Sequence, residues 1–114
     1  MNYDEYIEEI EKYSSDEVVA RLVSHLNNWK PGDTNVMELA DSIERFFGNS
    51  WISNEETHRH LYQLWSNFKS EAIINIGGLT MNERLYWFGL FERFDSNSSD
   101  LEQQVIYAKL CANT

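Results

Sequence analysis

A single cysteine, Cys111, is present among the 114 residues of this sequence. An internal disulfide therefore cannot form, and a zinc site built from four thiolates is excluded. The lack of disulfides fits a reducing compartment, so we expect a cytoplasmic protein. Cys111 falls on the apolar face of the last predicted helix, where we expect a small buried side chain and not a nucleophile.

The sequence also lacks the patterns of membrane and nucleotide-binding proteins. No apolar run approaches the roughly 18 residues that cross a bilayer as a helix. Residues 1–12 are acidic and have neither the positive start nor the apolar stretch of a secretory signal. Gly77 and Gly78 are not followed by the lysine of a phosphate-binding loop, and no dinucleotide fingerprint occurs. We therefore expect no membrane segment and no cofactor.

Basic residues are scarce: nine lysines and arginines stand against nineteen acidic residues, and the formal net charge is -10. This charge repels nucleic acid and anionic membranes, but it accelerates encounter with a basic protein. Hydrophobic residues make up 42% of the chain and aromatic residues 14%, far more than a disordered acidic chain carries. We predict one folded domain over 1–114 with a basic protein as its partner, and the sequence does not indicate an oligomeric state.

Apolar residues recur at intervals of three and four along most of the chain, which predicts amphipathic helices. Capping patterns mark several helix starts, including Ser14 with Glu17, Ser53 with Glu56 and Thr80 with Glu83. We predict an all-α bundle of about six helices. Their approximate ranges are 4–13, 14–29, 33–47, 53–75, 80–91 and 98–111.

Two of these helices carry further expectations. The helix that includes 84–91 is apolar on almost every side, so we expect it to be the most buried, with Gly89 allowing close packing. Residues 72–76 are rich in isoleucine and imitate a strand, but no second run could pair with them, so we predict that they are helical. In the last helix we expect an inward face formed by Leu101, Val105, Ala108 and Cys111.

Metal binding and catalysis find little support in the sequence. His58 and His60 are candidate ligands with Glu56, but residues two apart on a helix point in different directions and no further ligand follows nearby. Neighbouring carboxylates such as Glu55 and Glu56 diverge on a helix instead of converging across a cleft. We predict no metal site and no enzymatic activity.

Acidic and aromatic residues together indicate a binding surface. Carboxylates can pair with lysine or arginine of a partner, and aromatic residues are enriched among the energetically dominant residues of interfaces. Trp51, in the loop 48–52, is the best candidate for an exposed anchor, and Trp29 is the second. The acidic first helix is an alternative surface. The predicted contact residues are Glu38, Asp41, Glu44, Trp51, Glu55 and Glu56.

Residues 79–95, LTMNERLYWFGLFERFD, resemble the ending of small uncharacterised bacterial helical proteins. The whole chain, being short, acidic and without a catalytic motif, is similar to immunity proteins of bacterial toxin systems, particularly those of contact-dependent growth inhibition. This resemblance implies an inhibitor that binds a toxin domain, often a basic nuclease, and blocks its active or substrate-binding surface. The alternative is an acidic adaptor or regulatory subunit that binds a basic cellular protein.

Overall fold

The computed structural model of the protein describes residues 1–96 and 99–112. Within these ranges the chain is all-α, with seven α-helices and no strand. A π-helical turn, Lys69–Ile73, continues α4, and a 3-10 turn, Ile76–Gly78, follows it. The helices are α1 (Tyr3–Glu11), α2 (Glu17–Trp29), α3 (Val36–Asn49), α4 (Glu55–Phe68), α5 (Met81–Phe88), α6 (Phe91–Ser96) and α7 (Asp100–Lys109).

The described chain has one helix more than the predicted six because residues 92–96, predicted to be part of a connection, are helical and belong to α6. Gly89 adopts a left-handed conformation with φ +65° and ends α5, and α6 begins at Phe91. A Cβ atom at this position would collide with the carboxylate of Asp4, so the close packing expected at Gly89 is confirmed. The isoleucine-rich segment 72–76 forms no strand, as predicted: it lies in the π-helical and 3-10 turns, with a turn at 74–75 between them.

Some predicted caps are confirmed and others are wrong. Thr80 and Glu83 form the expected capping box at the start of α5. The cap of α2 is Asp16 instead of Ser14, and the cap of α4 is Asn54 instead of Ser53. The side-chain oxygen of an aspartate or asparagine one or two residues downstream accepts from the free backbone N–H groups as well as a serine hydroxyl does. The serine patterns therefore predicted both helix starts too early. Ser98, predicted within the start of the last helix, lies outside the described residues.

The core is centred on α1 and not on α5. The side chains of Tyr3, Tyr6 and Ile10 are completely buried, and α1 packs against α2, α4 and α5. In α5, by contrast, Tyr86 is 52% exposed. The segment 84–91 therefore does not occupy the predicted central position, although Arg84, Leu85, Phe88 and Leu90 are buried in it. An almost wholly apolar composition does not fix which faces a helix buries.

The inward face of the last helix is also different from the prediction. Leu101 is 77% exposed, and Ala108 and Cys111 are exposed too. Ile106, Lys109 and Leu110 lie in the core in their place. None of the helices in the described ranges is long and apolar enough to cross a membrane.

Candidate partner-binding surface

The acidic residues all lie at the surface, whereas part of the positive charge does not. None of the nineteen carboxylates is buried, but Arg84 and Lys109 are. These two cations donate to main-chain carbonyls: Arg84 to Leu79 and Leu110, and Lys109 to Trp29, Gly32 and Thr34. The surface therefore carries a larger excess of acid over base than the composition alone indicates.

Local neutralisation of the carboxylates is incomplete. Six carboxylates form ion pairs with cations within the described ranges. Such exposed pairs are worth only about 0 to 1 kcal/mol each and are weakened by salt. Most of the carboxylates face water without a cationic partner among the described residues. These remain available to attract a positively charged macromolecule.

The structure brings three of the six predicted contact residues to one depression, which we call the Trp51 recess. Glu44, Trp51 and Glu55 line it, and its volume is about 460 Å³. It lies between the C-terminal half of α3, the loop after it and the first half of α4. The side chains of Phe47, His58, Arg59 and Tyr62 also line it.

The other three predicted contact residues lie elsewhere. Glu38 and Asp41 are exposed and line a separate groove of about 300 Å³ with Arg45. Glu56 lies beside Tyr13 in a third depression. The six residues therefore do not form one continuous site, although Glu38, Asp41 and Glu44 all belong to α3.

Trp51 is 64% exposed, which confirms the exposure predicted for it. One face of its indole stacks on the imidazole of His58, with ring centres 4.5 Å apart and planes inclined by 22°. The next residue, Ile52, is completely buried and its N–H donates to Nδ1 of His58 at 3.4 Å. The loop thus presents the indole in a fixed orientation, which lowers the entropy lost on binding.

Glu44 is a partly structural carboxylate. Its Oε1 accepts hydrogen bonds from Trp65 Nε1 and from Lys69 Nζ, each at 3.0 Å. Its Oε2 accepts only a long bond of 3.4 Å from the hydroxyl of Tyr62. These hydrogen bonds hold the pKa of Glu44 below its ordinary value, and the bond from Trp65 has the largest effect. The recess therefore contains an ionised carboxylate with one oxygen still able to accept.

The second predicted anchor, Trp29, is wrong. Its side chain is buried, and the ammonium of Lys109 lies over the ring. The position of Trp29 beside polar residues at a helix end suggested exposure, but Lys109 and other distant parts of the chain cover it.

The histidines do not converge on a metal site. His58 stacks on Trp51, whereas His60 packs edge-on against Tyr13. His25, the third histidine, is 2.7 Å from the hydroxyl of Ser42. No group of three or more histidine, cysteine, aspartate or glutamate side chains could hold a metal ion in the part of the chain that the structure describes.

Phe47, His58 and Tyr62 belong to the recess but were not among the predicted contact residues. A signal for them exists in the spacing. Positions 44, 47, 48 and 51 repeat the helical interval i, i+3, i+4, i+7, and positions 55, 58, 59 and 62 repeat the same interval. The first set lies on α3 and the loop after it and the second set lies on α4, so the matching spacing indicates a shared groove where the two segments meet.

Comparisons with protein families, with characterised proteins and with solved structures found no match to this chain.

Proposed function

We propose that the protein is a stoichiometric inhibitor, an immunity protein that binds and neutralises a basic bacterial toxin domain, a nuclease of the contact-dependent growth inhibition type. It acts in the cytoplasm by covering the active or substrate-binding surface of the toxin. The observation that carries this proposal is an exposed tryptophan, Trp51, fixed in a recess on a strongly acidic surface.

The charge of the protein fits this class of partner. A nuclease must bind a polyanion, so its substrate-binding surface is positively charged. An acidic protein is attracted to that same surface, and electrostatic attraction can raise the association rate well above the ordinary range. Rapid capture matters for an inhibitor because it must bind the toxin before the toxin reaches its substrate.

The aromatic anchor, Trp51, would slow dissociation of the complex, which charge alone does not do. Rim charges mainly set the association rate, whereas buried aromatic residues near the centre of an interface slow dissociation. In Trp51 the protein has a large ring that is exposed before binding and already oriented by His58 and Ile52. A tight, long-lived complex is what an immunity protein requires.

The proposal is tested by isolating the protein with its partner from the native host and measuring nuclease activity of the partner. We expect a basic partner whose activity falls in proportion to added protein and reaches zero near one equivalent. An acidic protein of similar size and charge is the control, since simple charge screening would let it inhibit equally. A captured partner whose activity does not change would overturn inhibition and favour the acidic adaptor.

A further inference from the structure

The Trp51 recess combines aromatic rings with carboxylates, and this combination selects a cation. Four aromatic side chains line it, Phe47, Trp51, His58 and Tyr62, together with the carboxylates of Glu44 and Glu55. Aromatic faces attract cations through their quadrupoles, most strongly at tryptophan. The volume of about 460 Å³ is within the range of roughly 300 to 1,000 Å³ that ligand-binding pockets occupy.

The open face of Trp51 provides the platform. His58 covers one face of the indole at 4.5 Å between ring centres, and the side chain is nevertheless 64% exposed. The opposite face is therefore in contact with water. A planar cation that stacks there would complete a three-layer arrangement with the indole in the middle.

The carboxylates provide the acceptors. Glu44 has Oε1 occupied by Trp65 and Lys69, while Oε2 accepts only the long bond from Tyr62. Glu55 forms a single contact of 3.2 Å with Arg59, and both side chains are mostly exposed. An exposed pair of this kind is worth at most about 1 kcal/mol, so an entering cation can replace Arg59 at little cost.

We infer that the Trp51 recess binds an arginine side chain of the partner, with the guanidinium stacked on the open face of Trp51 and hydrogen-bonded to the carboxylates of Glu44 and Glu55. This inference rests on the proposed function, because it names the group on the basic partner that enters the recess. Arginine fits better than lysine because its guanidinium is planar, stacks on aromatic faces and presents five donors, whereas an ammonium is compact and strongly hydrated.

Arg59 acts as a stand-in for this guanidinium in the free protein. It lines the recess and forms an ion pair with Glu55. An incoming arginine must therefore compete with Arg59 for the Glu55 carboxylate. Removing it frees the Glu55 carboxylate. The Arg59→Gln variant should therefore bind an arginine ligand more tightly than the wild type, which is an effect that a structural role of Arg59 does not produce.

The first test uses small probes and does not require the partner. N-acetylarginine amide is titrated into isotope-labelled protein while the indole N–H signal of Trp51 is followed by NMR. We expect the shift to saturate. The affinity should be at least tenfold lower for the neutral isostere N-acetylcitrulline amide and severalfold lower for N-acetyllysine amide. An equal response to arginine and citrulline, or shifts spread over the surface without saturation, would overturn the inference.

Variants separate local from general electrostatic effects. Arg59→Gln and Arg21→Gln change the net charge equally, but Arg21 is an exposed residue of α2 outside the recess. We expect Arg59→Gln to tighten arginine binding at least twofold and Arg21→Gln to leave it unchanged. Equal tightening by both would show attraction to the overall charge and would contradict a specific site.

The second test uses the basic partner and distinguishes this inference from the proposed function. We expect Trp51→Ala to raise the dissociation rate of the complex at least tenfold, with thermal unfolding unchanged because the side chain is exposed. If the partner is inhibited and Trp51→Ala dissociates at the wild-type rate, the recess assignment is wrong and the inhibitor function stands. If arginine saturates the recess but no partner is inhibited, the inhibitor function is wrong and the recess assignment stands.

Discussion

The ammonium of Lys109 lies 3.7 Å from the centre of the Trp29 indole ring. The same group donates to the carbonyl of Trp29 at 2.6 Å, to that of Gly32 at 2.7 Å and to that of Thr34 at 3.2 Å. Burial lowers the pKa of Lys109 to about 8, so the charged form still predominates at neutral pH. One buried cation from α7 therefore holds the C-terminal end of α2 and the loop that follows it.

Replacing Lys109 with methionine should lower the free energy of unfolding by about 2 kcal/mol, because the carbonyls lose a charged donor and methionine supplies none. Equilibrium urea unfolding at pH 7 measures the change. Lys12→Met is the matched control, since Lys12 is exposed and pairs only with Glu9 across one helical turn. We expect the control to leave the stability nearly unchanged. Equal effects of the two substitutions would show that the buried contacts contribute no net stability.

Glu44 should make the stability of the protein depend on acid pH. Its donors lower its pKa, so its contribution is fully present above the ordinary value near 4.5 and is lost as the pH falls through the lowered value. The Glu44→Gln variant should be less stable than the wild type by about 1 kcal/mol at pH 7, a value discounted because the carboxylate is partly exposed. The difference should shrink as the solution is acidified and the carboxylate becomes protonated through its lowered pKa.

Urea unfolding of both proteins from neutral to acid pH provides the measurement. Glu55→Gln serves as control, because Glu55 is exposed and its one ion pair with Arg59 is also exposed. A difference between wild type and Glu44→Gln that stays constant from pH 7 to pH 2 would contradict the assigned role of the carboxylate.

Glu38 and Asp41 are expected to act on association with the basic partner. Both are exposed on α3, and neither forms an ion pair among the described residues. Reversing both charges to lysine should slow association roughly tenfold at low salt and weaken its salt dependence, with little change in dissociation. Stopped-flow or surface-binding kinetics at several salt concentrations measure both rates.

The control for this pair is the same double reversal at Asp100 and Glu102 of α7, which are also exposed. If the two double variants slow association equally, the partner responds to the total charge and the α3 surface has no special role.

Sequence periodicity predicted the helices because the alternation of apolar and polar residues along a helix is a local property. It failed for the last helix because the predicted inward face contained only apolar residues, whereas the charged Lys109 lies in the core, where carbonyls from a distant loop satisfy its charge. Trp29 was predicted to be exposed because its neighbours in sequence are polar, but Lys109, a residue eighty positions away, covers it. No pattern within one helix contains that information.

The candidate site could be predicted only in part for the same physical reason. The exposure of Trp51 follows from its position in a short polar loop, and the structure confirms it. One carboxylate oxygen of Glu44 is already hydrogen-bonded by Trp65 and Lys69, which lie on another helix and on the turn after it. Charge counts cannot distinguish a carboxylate that faces a partner from one that holds an indole N–H in place.

Substitution by alanine should lower the free energy of unfolding at Gly89 and raise it at Gly48. At Gly89 the left-handed backbone disfavours any Cβ by about 1 kcal/mol, and the new atom would meet the carboxylate of Asp4. We expect Gly89→Ala to destabilise the protein by about 2 to 3 kcal/mol. At Gly48, within α3, a Cβ meets nothing within 4 Å, so Gly48→Ala should stabilise by about 0.5 to 1 kcal/mol.

Adding Asp4→Ala separates the two costs at Gly89. It removes the collision but leaves the left-handed backbone, so the loss caused by Gly89→Ala should fall to about 1 kcal/mol in the Asp4→Ala background. Urea unfolding of the four proteins gives this difference as a double-mutant cycle, which cancels the loss of the ion pair between Asp4 and Lys30. An unchanged loss would mean that Asp4 moves aside freely and that backbone conformation alone requires glycine where α5 ends.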